Sequence, residues 1–177
     1  MRVRSAAASV LALLAIGCGY SIKSNTNYDK RVDFSDYHTF FLILGSSSGD
    51  PLLDQRATTD VETALTNRGG VEAPAGEGRA AVVVHAATTT KHDPQTFYDG
   101  WGGWAWGAPW LGATTGVEDY KAGTLVVDIF DATTKQAIWR GYASDALPND
   151  RTDNGKVTQA AVAKLFDHFP PGSPPAR

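Results

Sequence analysis

The chain has 177 residues, with 16 lysines and arginines, 19 aspartates and glutamates, and a formal net charge of −3 at neutral pH. This length fits a single domain that can bury a sizeable core. The basic residues form no cluster, which argues against nucleic acid as a partner, because binding to phosphates depends on concentrated positive charge. The single cysteine cannot form an intrachain disulfide, so the fold is expected to depend on packing alone.

The N-terminus has the pattern of a secretory signal. Arg2 and Arg4 precede an apolar run over residues 6–17 that is too short to cross a bilayer as a helix. The sequence AIGC at 15–18 resembles the lipobox of bacterial lipoproteins, with Ala15 where that pattern prefers leucine. The resemblance implies that residues 1–17 are a cleaved signal peptide and that Cys18 is acylated on its sulfur and on the new amine. Without Arg2 and Arg4 the chain keeps 14 basic and 19 acidic residues, a net charge of −5.

Acylation of Cys18 would fix the protein to a membrane surface, because several acyl chains on one residue make release negligible. Lipoproteins that stay in the inner membrane of Gram-negative bacteria typically carry aspartate after the cysteine, whereas this chain has Gly19. By that analogy, we expect an anchor in the outer membrane and a domain that faces the periplasm. The membrane, reached through Cys18, is therefore an expected partner.

The first half of the chain predicts two strands and one helix. Residues 18–33 are expected to form an acylated N-terminus that serves as a tether or an edge strand. Aromatic and β-branched residues over 37–44 predict a buried strand. Asp50 and Pro51 fit the N-cap and first position of a helix that ends at residues 69–70, and a second strand is predicted over 80–90.

The second half predicts a hairpin and a final helix. The strands 123–131 and 136–142 flank a short loop, and Asp153 is the expected N-cap of a helix that Pro170 ends. The predicted fold class is α+β, with a largely antiparallel sheet of four to five strands and two helices packed on one face. A single domain is expected over 34–171, and residues 172–177 are expected to be a disordered tail.

Four segments carry a family resemblance when they are taken together. They are DFSDYHTF at 33–40, YKAGTLVVDIFDA at 120–132, IWRG at 138–141 and FPP at 169–171. In this order they resemble the bacterial lipoprotein family defined by the domain of unknown function 4136, over about residues 20–171. The family has no established activity, so the resemblance implies a periplasm-facing α/β lipoprotein domain and transfers no catalytic residue. Lys135 departs from the pattern, because such hairpins often have glycine there, and a positive φ would be unfavourable for lysine.

A serine hydrolase is the alternative from another functional class. The sequence GSSSG at 45–49 matches the nucleophile-elbow pattern around Ser47, and Asp128 and His168 follow in hydrolase order. An elbow lies above a central parallel strand and needs an oxyanion loop from an earlier strand. Here it would follow only the first or second predicted strand, no earlier loop of the right kind precedes it, and the 160 residues left after cleavage are few for a hydrolase fold. A serine-glycine linker before a capped helix explains the same residues. We therefore expect no enzyme, with a small envelope hydrolase using Ser47 as the alternative.

The histidines do not indicate a metal site. The four are His38, His85, His92 and His168, and their spacing matches no metal-binding motif. We therefore expect neither a metal nor a cofactor.

Asp128 is the unusual carboxylate, because it interrupts a strand that is otherwise apolar on both faces. A buried carboxylate needs partners. In one hairpin register Asp128 lies opposite Arg140, and in a register shifted by one residue it lies opposite Trp139. Asp128 and Arg140 are predicted to have a structural role, with the register left open.

Tryptophan and glycine are concentrated in residues 91–119, a long stretch for a connection without regular structure. It holds four of the five tryptophans of the chain, Trp101, Trp104, Trp106 and Trp110. Indole rings can pack into a core, bind an envelope protein partner, settle at lipid headgroups or stack on sugars, and glycan binding is the least favoured of these. The sequence therefore predicts a non-catalytic interaction or envelope-maintenance module, with these tryptophans as a candidate contact surface.

Overall fold

The computed structural model describes residues 21–45, 47–87, 123–146 and 154–170. These ranges contain strands and helices in an α+β arrangement, so the predicted fold class is confirmed. In chain order the elements are β1 (Lys23–Tyr28), a 3-10 turn (Phe34–Asp36), β2 (Thr39–Leu44), α1 (Pro51–Thr66), β3 (Val71–Glu72), β4 (Ala80–Ala87), β5 (Thr124–Asp131), β6 (Ala137–Ser144) and α2 (Asn154–Leu165).

The described strands form one six-stranded sheet in the order β1-β6-β5-β4-β2-β3. The predicted number of four to five strands was too low, because β3 has only two residues and leaves no recognisable pattern in the sequence. The sheet is mixed: three of its five strand pairs are antiparallel, whereas β2 runs parallel to both β3 and β4. The parallel pairs arise because α1 is a crossover helix. It returns the chain to the end of the sheet where β2 began, so the next strands run in the same direction as β2.

The N-terminus of α1 forms as the sequence predicted. The Asp50 side chain accepts hydrogen bonds from the backbone N–H groups of Leu52 and Leu53, and Pro51 occupies the first turn, where it loses no hydrogen bond. The predicted N-cap of the last helix, Asp153, lies outside the described residues.

Both helices pack on the same face of the sheet. Their buried small and branched residues, such as Val61 of α1 and Ala161 of α2, join the strand residues Val82 and Val127 in one core cluster. The opposite face, which we call the second face, has its own apolar cluster. Its buried members are Phe41, Ala81, Val83 and Phe130.

An aromatic cluster joins the last turn of α2 to the sheet. Trp139 of β6 stacks on Phe166 with ring centroids 5.2 Å apart, and Phe169 lies edge-on to Trp139 at 5.3 Å. Phe34 packs against Phe169 in turn, at 5.8 Å. Arg68, which follows α1, donates hydrogen bonds to the carbonyl oxygens of Phe166 and Phe169. Residues from three of the four segments that carry the family resemblance therefore meet in this cluster.

The Trp139 ring also lies across Gly141, two residues further along β6. A Cβ atom at position 141 would overlap the indole, so only glycine leaves room for the ring.

We predict that Gly141→Ala displaces this ring and lowers the free energy of unfolding by about 2 kcal/mol. Gly155→Ala is a matched control, because a Cβ at that helical position meets no atom within 4 Å. The control should leave stability unchanged or raise it by up to about 1 kcal/mol. Urea denaturation of both variants measures the difference, and equal midpoints for Gly141→Ala and the unsubstituted protein would contradict the close contact.

Candidate functional site

Several residues singled out in the sequence lie outside the described residues, namely Cys18 and the tryptophans Trp101, Trp104, Trp106 and Trp110. The structure does fix the two points between which the tryptophan-rich segment runs. Ala87 ends β4 and Thr124 begins β5, and these two residues are cross-strand partners. The Gly123 N–H also donates to the Ala87 carbonyl oxygen at 2.8 Å. The described residues on either side of 88–122 are therefore adjacent in the sheet.

These flanking residues lie at the same end of the sheet as the first residue of β1. Lys23 begins β1 and pairs with Ser144, the last residue of β6. At the same end, Thr124 begins β5 opposite Ala87, and Leu44 ends β2 beside Val84 of β4. We call this the Lys23 end of the sheet. The chain from Cys18 and the segment that holds the four tryptophans thus join the fold at one end.

The link between Cys18 and the folded domain is short. Ile22 is buried in the core with 4 % of its surface exposed, and the Lys164 ammonium donates a hydrogen bond to its carbonyl oxygen. Only residues 19–21 separate Ile22 from Cys18, and an extended chain spans at most about 14 Å over that separation. An acyl group on Cys18 would therefore hold the Lys23 end close to a bilayer surface.

On the second face, Asp128 lies directly opposite Arg140, which is one of the two registers that the sequence left open. Arg140 Nε donates to Asp128 Oδ1 at 2.5 Å and Nη2 donates to Oδ2 at 2.9 Å. The carboxylate is fully buried, whereas 20 % of the Arg140 side chain is exposed. A bidentate guanidinium contact of this kind neutralises the buried carboxylate and donates a hydrogen bond to each of its oxygens.

His85 of β4 completes this polar cluster, and sequence reasoning missed its role. It is 1 % exposed, and its Nε2 atom lies 3.8 Å from Asp128 Oδ2. The ring lies against Gly45, where a Cβ atom would overlap the imidazole. The available signal was a single polar residue inside the apolar run of β4, the same signal that singled out Asp128 in β5. Because a guanidinium holds the buried carboxylate, the cluster is suited to stabilising the strand pairing and poorly suited to removing a proton from a substrate.

The structure separates the three residues that resembled a hydrolase triad. Ser47 Oγ donates to Asp54 Oδ2 at 2.5 Å, at the first turn of α1. Asp128 lies on the second face with Arg140. His168 follows α2 on the helix side, where its side chain is 75 % exposed and lies 3.7 Å from the Asp167 carboxylate.

Within the described ranges, no group of three histidine, cysteine, aspartate or glutamate residues could hold a metal ion. Neither described helix is long and apolar enough to cross a bilayer.

A second polar cluster closes the hairpin at the opposite end of the sheet. The Tyr37 hydroxyl donates to Asp131 Oδ2 at 2.8 Å, and the backbone N–H groups of Thr133 and Thr134 donate to Oδ1 at 2.8 and 2.7 Å. Burial alone would raise the pKa of Asp131, but these hydrogen bonds outweigh it and hold the pKa below its ordinary value. Lys135 completes this turn with a φ of 61°, a conformation that favours glycine.

The Asp128–Arg140 pair can be tested with a double-mutant cycle. Asp128→Asn leaves a partly buried guanidinium without its carboxylate, and Arg140→Met leaves a buried carboxylate without its guanidinium. Each should lower the free energy of unfolding by about 3 kcal/mol. The double variant should be at least about 1.5 kcal/mol more stable than the sum of the two losses predicts.

The exposed pair Asp29–Arg31 is a matched control, because Arg31 also donates two hydrogen bonds to the carboxylate but its side chain is 87 % exposed. The same cycle there should give a much smaller coupling, because solvent screens an exposed pair. Additive losses at Asp128 and Arg140, measured by urea denaturation, would contradict a direct interaction between them.

Comparison with known proteins gives a family and a fold. The family model described as a domain of unknown function (DUF4136) matches residues 24–171. A DUF4136 family protein from Bacteroides thetaiotaomicron has a similar crystal structure, with a TM-score of 0.60, 17 % sequence identity, and coverage of 82 % of this chain and 94 % of that one. A PDZ domain protein from Parabacteroides distasonis is similar with a TM-score of 0.52 and 12 % identity, over 85 % of this chain and 36 % of that one.

The comparison with curated proteins gives no match. At these sequence identities, the likeness to the two solved structures shows the fold alone. The family model extends over residues 24–171 of the 177-residue chain. The chain therefore belongs to the DUF4136 family.

Proposed function

We propose that the protein is a lipid-anchored bacterial envelope lipoprotein that acts without catalysis, as an interaction or envelope-maintenance module. In this proposal Cys18 carries the acyl chains, and the domain faces the periplasm from the outer membrane. Trp101, Trp104, Trp106 and Trp110 form the contact surface for an envelope protein partner.

One observation carries the proposal: two separate parts of the chain join the fold at the Lys23 end. Lys23, which follows the link from Cys18, begins β1 there, and Ala87 and Thr124, which flank residues 88–122, are paired there. An anchor with a reach of about 14 Å keeps this end near the membrane. The tryptophans would then be presented close to the surface where other envelope components are embedded.

The polar residues of the described ranges support a role without catalysis. The Ser47 hydroxyl donates a hydrogen bond to the Asp54 carboxylate at the start of α1. The Arg140 guanidinium donates two hydrogen bonds to the buried Asp128 carboxylate. A general acid or base needs a second polar group aimed at an accessible cleft. The hydrolase alternative would be favoured by a fluorophosphonate probe that labels the protein but not its Ser47→Ala variant.

The role of the tryptophans is tested by replacing Trp101, Trp104, Trp106 and Trp110 together with alanine in the full chain. If the rings serve binding, the free energy of unfolding should fall by no more than about 1 kcal/mol. Co-isolation of envelope proteins with the detergent-solubilised protein should be lost at the same time.

Trp139→Ala is the matched control, because this buried indole packs on Phe166 and Phe169 and its removal should cost about 3–5 kcal/mol. A quadruple variant that loses as much stability as Trp139→Ala would assign the four tryptophans to the core instead. Retention of every co-isolated protein by a stable quadruple variant would also contradict the proposed contact surface.

A further inference from the structure

Among the described residues, two leucines are exposed at the Lys23 end of the sheet. Leu44, the last residue of β2, is 49 % exposed, and Leu52, in the first turn of α1, is 61 % exposed. Leu53, next to Leu52, packs on Ala86 near the end of β4, which places this turn of the helix over the same end of the sheet. Val71 has a similar exposure of 60 % but lies at the other end, beside Thr39 at the start of β2.

Hydrogen bonds in the preceding loop hold Leu52 outward. The Asp50 carboxylate caps α1, and Asp54 accepts hydrogen bonds from the Ser47 hydroxyl and the Ser48 N–H. These contacts fix the first turn so that Leu53 and Asp54 face inward and are buried. The exposure of Leu52 is therefore set by the fold and is not a consequence of a loose helix end.

Among the described residues, the charges at this end are nearly balanced. Lys23 and Lys164 are exposed there with Asp145, and the Asp50 carboxylate accepts hydrogen bonds from helix N–H groups. A surface of this kind has little attraction for anionic lipids. Exposed leucines beside a balanced charge fit the apolar edge of a zwitterionic headgroup layer, where side chains settle through buried apolar area.

We propose that the Lys23 end is a lipid-docking surface, at which Leu44 and Leu52 contact the headgroup region of the bilayer that holds Cys18. This inference rests on the proposed function, because the anchor brings the surface to the bilayer. A contact that is weak for a free protein becomes populated when a short link raises its effective concentration. The occupant is the anchoring bilayer because the link from Cys18 reaches the fold at this same end.

The experiment uses the full-length acylated protein in phosphatidylethanolamine-rich vesicles that contain lipids spin-labelled at the headgroup level. A fluorophore is attached through Leu52→Cys in one sample and through Val71→Cys in another. These positions have matched exposure. Val71 pairs with Thr39 at the start of β2, and Leu44 at the Lys23 end of that strand is about 17 Å from Thr39. Acylated Cys18 does not react with the thiol reagent, so the protein without an added cysteine serves as the labelling blank.

We expect the fluorophore at position 52 to be quenched at least three-fold more than the one at position 71, with no change when salt is added. Leu44→Ser should reduce the quenching at position 52 by about half, since it removes part of the apolar contact. Val71→Ser, the matched control at the far end, should leave that quenching unchanged.

Equal quenching at the two positions on protein that floats with the vesicles would overturn the docking surface and leave the anchor standing. Labelling of the blank at Cys18, together with failure to float with the vesicles, would overturn the proposed anchor and the docking surface with it. Quenching at position 52 that persists in full in Leu44→Ser would exclude Leu44 from the surface.

Discussion

The register between β5 and β6 is the constraint on which the arrangement of the other strands depends. Asp128 lies opposite Arg140 and forms two hydrogen bonds with it on the second face of the sheet. A slip of β6 by one residue would turn Arg140 toward the helices and leave the buried Asp128 carboxylate without its guanidinium. The same register places Ile129 beside Trp139, which brings the indole under Phe166 and Phe169. The ion pair and the aromatic cluster thus fix one strand pair from its two faces.

The strand order has a consequence for function. β1 pairs with the outer edge of β6, so the residue that follows the link from Cys18 starts at the end of the sheet where β4 ends and β5 begins. Lys23, which follows the link from Cys18, and Ala87 and Thr124, which flank the tryptophan-rich segment, therefore lie at one end of the sheet, although Ala87 is 69 positions after Cys18 in the sequence. The fold itself, shared with a family that has no established activity, does not indicate a reaction. The placement of these chain ends is what favours a role at the membrane surface.

Sequence patterns predicted the elements that have strong local signals. The N-cap at Asp50 with Pro51 located the start of α1 to the residue, and the interruption of β5 by Asp128 singled out the central ion pair. The pattern could not choose its partner, because both registers place a large residue opposite Asp128. The ion pair with Arg140 and the packing of Trp139 on Phe166 separate the two registers, and both are contacts between distant parts of the chain. β3 was missed because two residues carry no periodicity, and the parallel pairs of β2 were missed because they depend on the path of α1 across the sheet. His85 was not recognised because its contact with Asp128 joins two residues that are 43 positions apart in the sequence.

The central claim is that the domain is held at a membrane through Cys18, and the mass of the native N-terminal peptide tests it most directly. The protein is extracted from membranes with detergent and digested, and the N-terminal peptide is measured by mass spectrometry. The account predicts a peptide that begins at Cys18 and carries a diacylglyceryl group on sulfur and an acyl chain on the amine. A peptide that still contains residues 1–17, with an unmodified thiol at Cys18, would contradict it.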